Sequence, residues 1–200
     1  VPFTSGIAPI VELITGSGAF LSSNNKYSTN GFHQTGIDRS GGINLRSFSD
    51  RFSVDGTSTA SYGFLIRCPG ACGGVSDLIF RPLFDLQSAA ATGTFSRAIG
   101  AYATQANVDI AEASLGPTNY DGSIISTDSA AITQVKSFTL KRSNLSFTST
   151  SNNLNRYPIY LDQFSTLILE DSVISTNLPS NVTQPILKAY ATASSRINLT

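Results

Sequence analysis

Charge is what this sequence has least of. Only 13% of its 200 residues are Asp, Glu, Lys or Arg, about half the usual share. The 13 basic and 13 acidic residues cancel, so no net field draws in nucleic acid or an anionic membrane. Met and Trp are absent and Glu and Lys are few, which removes much of the usual helix-forming stock. No run comes near the roughly 18 apolar residues of a helical membrane span. One histidine, His33, and two cysteines, Cys68 and Cys72, fall short of the ligand set of a structural zinc. No metal and no cofactor is therefore expected. The cysteines bracket a Pro-Gly-Ala turn and read either as a local disulfide or as two buried thiols. They leave the redox compartment open.

What is present favours strands. Hydrophobic residues make up 40% of the chain, with 12 Phe and 7 Tyr. Polarity comes from 29 Ser and 20 Thr. Thr is β-branched and suits a pleated surface, and Ser suits turns. An all-β chain with a sizeable core follows. Val1 to Phe20 lacks the basic start of a signal peptide. The missing initiator Met implies processing or a start inside a longer polypeptide. Arg196 to Thr200 reads as mid-strand, so the strand pattern is expected to run on past Thr200.

Two regions differ in texture. Residues 1–60 are interrupted by Gly6, Gly16, Gly18, Gly31, Gly36, Gly41 and Gly42 and by polar runs such as Ser22-Ser23-Asn24-Asn25. This part reads as an irregular connecting segment of loops and short strands. From residue 61 onward a repeat emerges. Ala-Tyr-Ala-Thr occurs at Ala101 and again at Ala189, 88 residues apart. Ile66, Ile99, Ile132, Ile159 and Ile186 recur at intervals of 27 or 33. Phe138-Thr139-Leu140, Leu167-Ile168-Leu169 and Ile197-Asn198-Leu199 form matching apolar triplets. The first two are followed by a charged pair and a serine, Lys141-Arg142-Ser143 and Glu170-Asp171-Ser172. A period in the high twenties with short strands and polar turns marks a solenoid, in which stacking buries what one coil cannot. The expected fold is a parallel β-helix over residues 61–200.

Two other readings compete locally. The strands also suit an antiparallel β-sandwich or jelly roll, with Phe64 to Arg67 and Val75 to Phe80 forming a hairpin around the cysteine turn. Ser96 to Leu115 carries Ile99, Tyr102, Ala103, Ala106, Ile110 and Ala113 at helical spacing, with Gly116-Pro117 as a stop, and predicts one helix.

The rungs from Ser137 to Phe147 and from Ser165 to Ser175 resemble those of right-handed parallel β-helix proteins. Low charge, high Ser/Thr content and the lack of Met make the chain similar to the bacteriophage tailspikes and tail fibres of that class. Asp55-Gly56-Thr57 resembles the entry segment of such proteins, without the paired aspartates that usually follow. The resemblance implies a homotrimeric virion appendage, assembled with other tail proteins, that contacts host surface polysaccharide. The setting it implies is a virion or extracellular one. Some members of the class also cleave their glycan. A jelly-roll viral coat protein is the alternative on the antiparallel reading.

Candidate chemistry is sparse. Glycan cleavage needs two carboxylates about 5 to 9.5 Å apart, and stacked rungs lie about 4.8 Å apart. Asp162, Glu170 and Asp171 are the catalytic candidates on that basis. The plainer reading makes Glu170 and Asp171 turn residues opposite Lys141 and Arg142. Tyr157, between Arg156 and Pro158, is the candidate glycan-binding aromatic. Asn144, Asn181 and Asn198 open N-glycosylation triplets that chance explains in such a chain. His33 has no nucleophile arrangement around it, and Gly16-Ser17-Gly18 lacks the lysine of a phosphate loop.

Overall fold

The structure is a computed structural model. It describes residues 8–14, 16–29, 34–39, 41–55, 61–67, 74–87, 96–102, 107–115, 125–128, 135–148, 159–177 and 185–200. All regular structure among them is β-strand.

The strands follow one another in threes. The first coil holds β1 (Ala8–Leu13), β2 (Ala19–Ser23) and β3 (Lys26–Thr29). The second holds β4 (Gln34–Arg39), β5 (Asn44–Phe48) and β6 (Arg51–Asp55). Then come β7 (Ser61–Arg67), β8 (Ser76–Phe80) and β9 (Leu83–Gln87), and after them β10 (Ser96–Tyr102), β11 (Asn107–Ala111) and β12 (Ser114–Leu115). A further coil holds β13 (Ile125–Asp128), β14 (Val135–Lys141) and β15 (Asn144–Thr148). Last are the long β16 (Ile159–Glu170), β17 (Val173–Asn177) and the long β18 (Leu187–Leu199).

Each strand pairs in parallel with the strand one coil away. The first strands of successive coils form one face and the second strands another. β16 spans both and joins them into a 12-stranded sheet. The third strands form a separate six-stranded sheet in the order β17-β15-β12-β9-β6-β3. The chain is a β-solenoid of stacked coils. All-parallel ladders exclude the antiparallel sandwich and jelly roll. The expected hairpin fails for the same reason: β7 and β8 lie in different ladders.

The core repeats along columns. On the second face, Val108, Phe138, Leu167 and Ile197 stack, and two residues on, Ile110, Leu140, Leu169 and Leu199. The three apolar triplets therefore lie in register as the sequence predicts. On the third face the column runs Tyr27, Phe52, Phe84, Leu115, Leu145, Ile174. Tyr27 and Phe52 stack at 5.0 Å, Phe52 and Phe84 at 5.5 Å, and Phe64 reaches across from the first face to 4.3 Å from Phe52. Gly36 and Gly63 make room for this cluster. A methyl on Gly36 would lie 2.7 Å from the Gly63 carbonyl and 2.9 Å from the Phe52 ring. On Gly63 it would lie 2.8 Å from the Ala98 carbonyl and 3.0 Å from the Phe84 ring.

Three sequence expectations need correction. The coils do not begin at residue 61, because β1 to β6 already stack in the same three ladders. Glycines and buried serines had hidden them. The helix over Ser96 to Leu115 is absent from the described residues of that stretch. β10, β11 and β12 lie there, and β11 alternates inward and outward like any strand. The isoleucine register is also shifted. Ile99 pairs with Phe64, Ile125 and, through it, Ile159, whereas Ile66 pairs with Ala101. Leu187, not Ile186, sits on Ile159. Ile132 lies outside the described residues. In its described residues the first Ala-Tyr-Ala-Thr copy matches the second: Ala101 follows Ile99 by two, as Ala189 follows Leu187, in one ladder.

A candidate functional site along one corner

The corner between the second and third faces is built alike in every coil. One residue there takes the left-handed conformation: Asn24 (φ 57°), Ser49 (56°), Arg81 (52°), Glu112 (55°), Arg142 (45°) and Asp171 (47°). None is glycine, and most residues pay about 1 to 2 kcal/mol there. The conformation turns each N–H onto the carbonyl of the next coil. Arg81 N–H donates to Ala111 O at 2.9 Å, Glu112 N–H to Lys141 O at 2.9 Å and Arg142 N–H to Glu170 O at 2.9 Å. The turn is thus knitted into the ladders on either side.

The residue after the corner is buried at Asp50, Pro82, Ala113 and Ser143, and its N–H, where it has one, needs a partner. Asn25 N–H donates to Asp50 Oδ1 at 2.8 Å, Ala113 N–H to Ser143 Oγ at 3.1 Å and Ser143 N–H to Ser172 Oγ at 3.2 Å. Each acceptor sits one coil further along. Pro82 occupies the same position with no N–H to satisfy, and the residue one coil beyond it is Ala113, which has no acceptor side chain. Donor and acceptor are missing together. Ser143 and Ser172 then donate to the carbonyls of Lys141 and Glu170, each at 2.9 Å. The charged-pair-plus-serine motif of the sequence is this corner.

Outside, the same corner carries charge and aromatic surface. Arg81 Nε meets Glu112 Oε2 at 2.6 Å, and Arg142 Nε meets Glu112 Oε1 at 3.5 Å. The Arg81 hydrogen bond, helped by the charges of Arg81 and Arg142, holds the Glu112 carboxyl below the usual carboxylate range. A carboxylate so held stays ionised and is a poor proton donor. Lys141 Nζ lies 3.0 Å from Glu170 Oε2. Beside Arg81, the half-buried rings of Phe48 and Phe80 lie 6.4 Å apart, and the Arg81 guanidinium sits 4.9 Å over Phe80.

The sequence candidates fall out unevenly. Glu170 and Asp171 are adjacent on this strip. Glu170 is paired with Lys141 across one rung, as the plainer reading has it. Asp171 is exposed at its corner. Asp162 lies in the first half of β16, opposite Tyr190 in the ladder of the first face, so the fold does not bring it to Glu170. Its side chain, and all of Tyr157, lie outside the described residues. So do His33, Cys68 and Cys72. Among the described residues no group of His, Cys, Asp and Glu is placed to hold a metal ion. Sequence reasoning missed Phe48, Phe80, Arg81 and Glu112. Their signal was the left-handed corner recurring at Arg81, Glu112 and Arg142, readable only once coil lengths were known.

The interior holds one further polar feature. Arg39 and Asp77, both fully buried, form an ion pair between the second and third coils. Asp77 Oδ1 also accepts the Leu45 N–H at 2.9 Å, and Arg39 Nη1 donates to Gly41 O at 3.2 Å. Burial raises the Asp77 carboxyl above its ordinary value, and Arg39 only partly offsets this. The pair is sealed from solvent and presents nothing to a ligand.

No family model, no curated protein and no solved structure matches the chain.

Proposed function

We propose that this chain is a structural, glycan-contacting module of a virion surface appendage of the tailspike or tail-fibre kind. It works outside cells, as a homotrimer joined to other tail proteins, and contacts host surface polysaccharide. The observation that supports this reading is the corner strip. It sets the aromatic pair Phe48 and Phe80 beside ionic and hydrogen-bonding groups on a rigid stack. Aromatic faces take the apolar faces of sugar rings, and neighbouring polar groups take hydroxyls. A stack with about 4.8 Å between rungs offers a linear polymer evenly spaced contacts along its length. Rigidity comes from the parallel ladders and the knitted corners, as contact with an extended ligand requires.

The test is direct. Light scattering on the purified chain is expected to give a trimer, and binding to a panel of bacterial surface polysaccharides is expected to weaken several-fold in Phe80→Ala. A monomer that binds no member of the panel would overturn the reading. Release of reducing ends during incubation would move it to a polysaccharide-cleaving enzyme.

A further inference from the structure

We infer that the corner strip takes an uncharged polysaccharide, held by an apolar band on the outer surface of the second to fourth coils. The inference rests on the glycan-contact reading above and names its ligand class. Phe48, Phe80 and Ala111, all half-buried, form one outward column at the end of the second face. Leu78, also half-buried, lies two residues before Phe80 on β8 and so shares its side of the sheet. Leu83, 37% exposed, carries the band past the corner of the same coil. Further along, the same two columns hold Asp109, Thr139 and Lys141, and the band ends.

The charges around this band answer one another. Arg46 and Asp109 stand one rung to either side of Leu78 in one column, opposite in sign. Arg46 donates to Ser76 O at 2.8 Å. Arg81 is bound to Glu112, which Arg142 shares. On the third face, Lys26 and Arg51 have Asp55 on the strand of Arg51 and Asp85 one coil on. A ligand carboxylate would have to take Arg81 from Glu112, and a ligand cation would have to take Glu112 from Arg81. An uncharged sugar displaces neither. Its C–H face meets the rings and Leu78, and its hydroxyls meet the donors of Arg81 that the ion pair leaves over, since a guanidinium carries several.

Size separates a glycan from a protein partner. The band is about two rungs high and two strand residues wide, roughly 10 Å by 7 Å. Even with Leu83 it offers on the order of 100 to 200 Å², far below the about 800 Å² per partner of a standard protein interface. A few sugar rings cover it.

The experiment separates this inference from the reading beneath it. Binding is measured to dextran, mannan and galactan as neutral polymers and to polygalacturonate and hyaluronan as acidic ones. The bacterial polysaccharides of the wider panel are sorted in the same way. The tightest binder is expected to be neutral. Its affinity should hold within about twofold when salt rises from about 0.05 M to about 0.5 M, which shortens the Debye length from about 14 Å to about 4 Å. Leu78→Ser should weaken that binding several-fold and Leu78→Met should keep it, both compared at a temperature where they are folded. An acidic polymer that binds more tightly than every neutral one, or binding that falls tenfold or more at the higher salt, overturns the inference and leaves glycan contact standing. A folded Leu78→Ser protein that binds like the parent overturns it as well. Binding of no polymer of either kind overturns both the inference and the reading beneath it.

Discussion

The serine after the left-handed corner does more than its size suggests. Ser143 accepts from Ala113 and donates back to Lys141. Ser143→Ala leaves a buried N–H without its acceptor and should cost about 1 to 3 kcal/mol in urea unfolding. The same change at an outward serine such as Ser114 should be close to neutral. Ser49 is a second test. Its φ of 56° is a conformation glycine adopts freely. Ser49→Gly should raise stability by up to about 1 kcal/mol, and a clear loss would show that its side chain earns its place. This motif was legible in the sequence as Lys141-Arg142-Ser143 over Glu170-Asp171-Ser172, and the rung pairing of Lys141 with Glu170 followed from it. The older corners were not legible, because Asn24, Ser49 and Arg81 share neither size nor charge. What they share is backbone conformation, which residue type specifies poorly.

Two carboxyls at this scale respond to pH in opposite directions. Glu112 is held below its ordinary value, so its contribution is present above the unfolded value and is lost as pH falls through the folded one. Asp77 is raised, so below its ordinary value its shift favours the fold fully, and that contribution is lost as pH rises through the raised folded value. Comparing the protein with Glu112→Gln and with Asp77→Asn across pH 3 to 7 should therefore give difference curves of opposite slope. Parallel curves would show that one of the two directions is wrong.

Among the strands, the decisive elements are those that pack Tyr27, Phe52, Phe64 and Phe84. β4 and β7 can pass these rings only because Gly36 and Gly63 lack side chains. Gly63→Ala forces a methyl against a backbone carbonyl that cannot yield, and thermal unfolding should register a loss of about 1 to 3 kcal/mol. Gly36 is also one reason the N-terminal coils read as irregular. Within residues 1–60, interior positions held by Gly36, Ser22 and Ser47 break the apolar alternation that marks a strand. The C-terminal coils keep Leu and Ile inside and were legible. The helix expected over Ser96 to Leu115 failed because Ile99 and Ile110, spaced as on a helix face, belong to two strands on different faces.

The whole molecule is a stack whose columns repeat, and repetition invites slippage by one coil. Val108, Phe138 and Leu167 are interchangeable in kind. Asp77 is not: it stands in their column and needs Arg39. Breaking the pair by Asp77→Ala strands a buried guanidinium and should cost about 3 to 5 kcal/mol, whereas Arg39→Leu with Asp77→Val should restore most of that loss. If the pair fixes register, the double variant should refold with added slow phases despite its recovered stability. A double variant as unstable as the single one would mean that the site cannot repack.

Register is the claim on which the coils and the corner strip both depend. With Cys68 and Cys72 replaced by serine, Asn107→Cys and Ser137→Cys place two cysteines directly opposite each other on the second face. Their Cα atoms stand about 4.8 Å apart, within disulfide reach. Mild oxidation followed by mass mapping should find this cross-link within single folded chains at high yield. Its absence, in a protein whose unfolding remains cooperative, would contradict the stacked parallel coil.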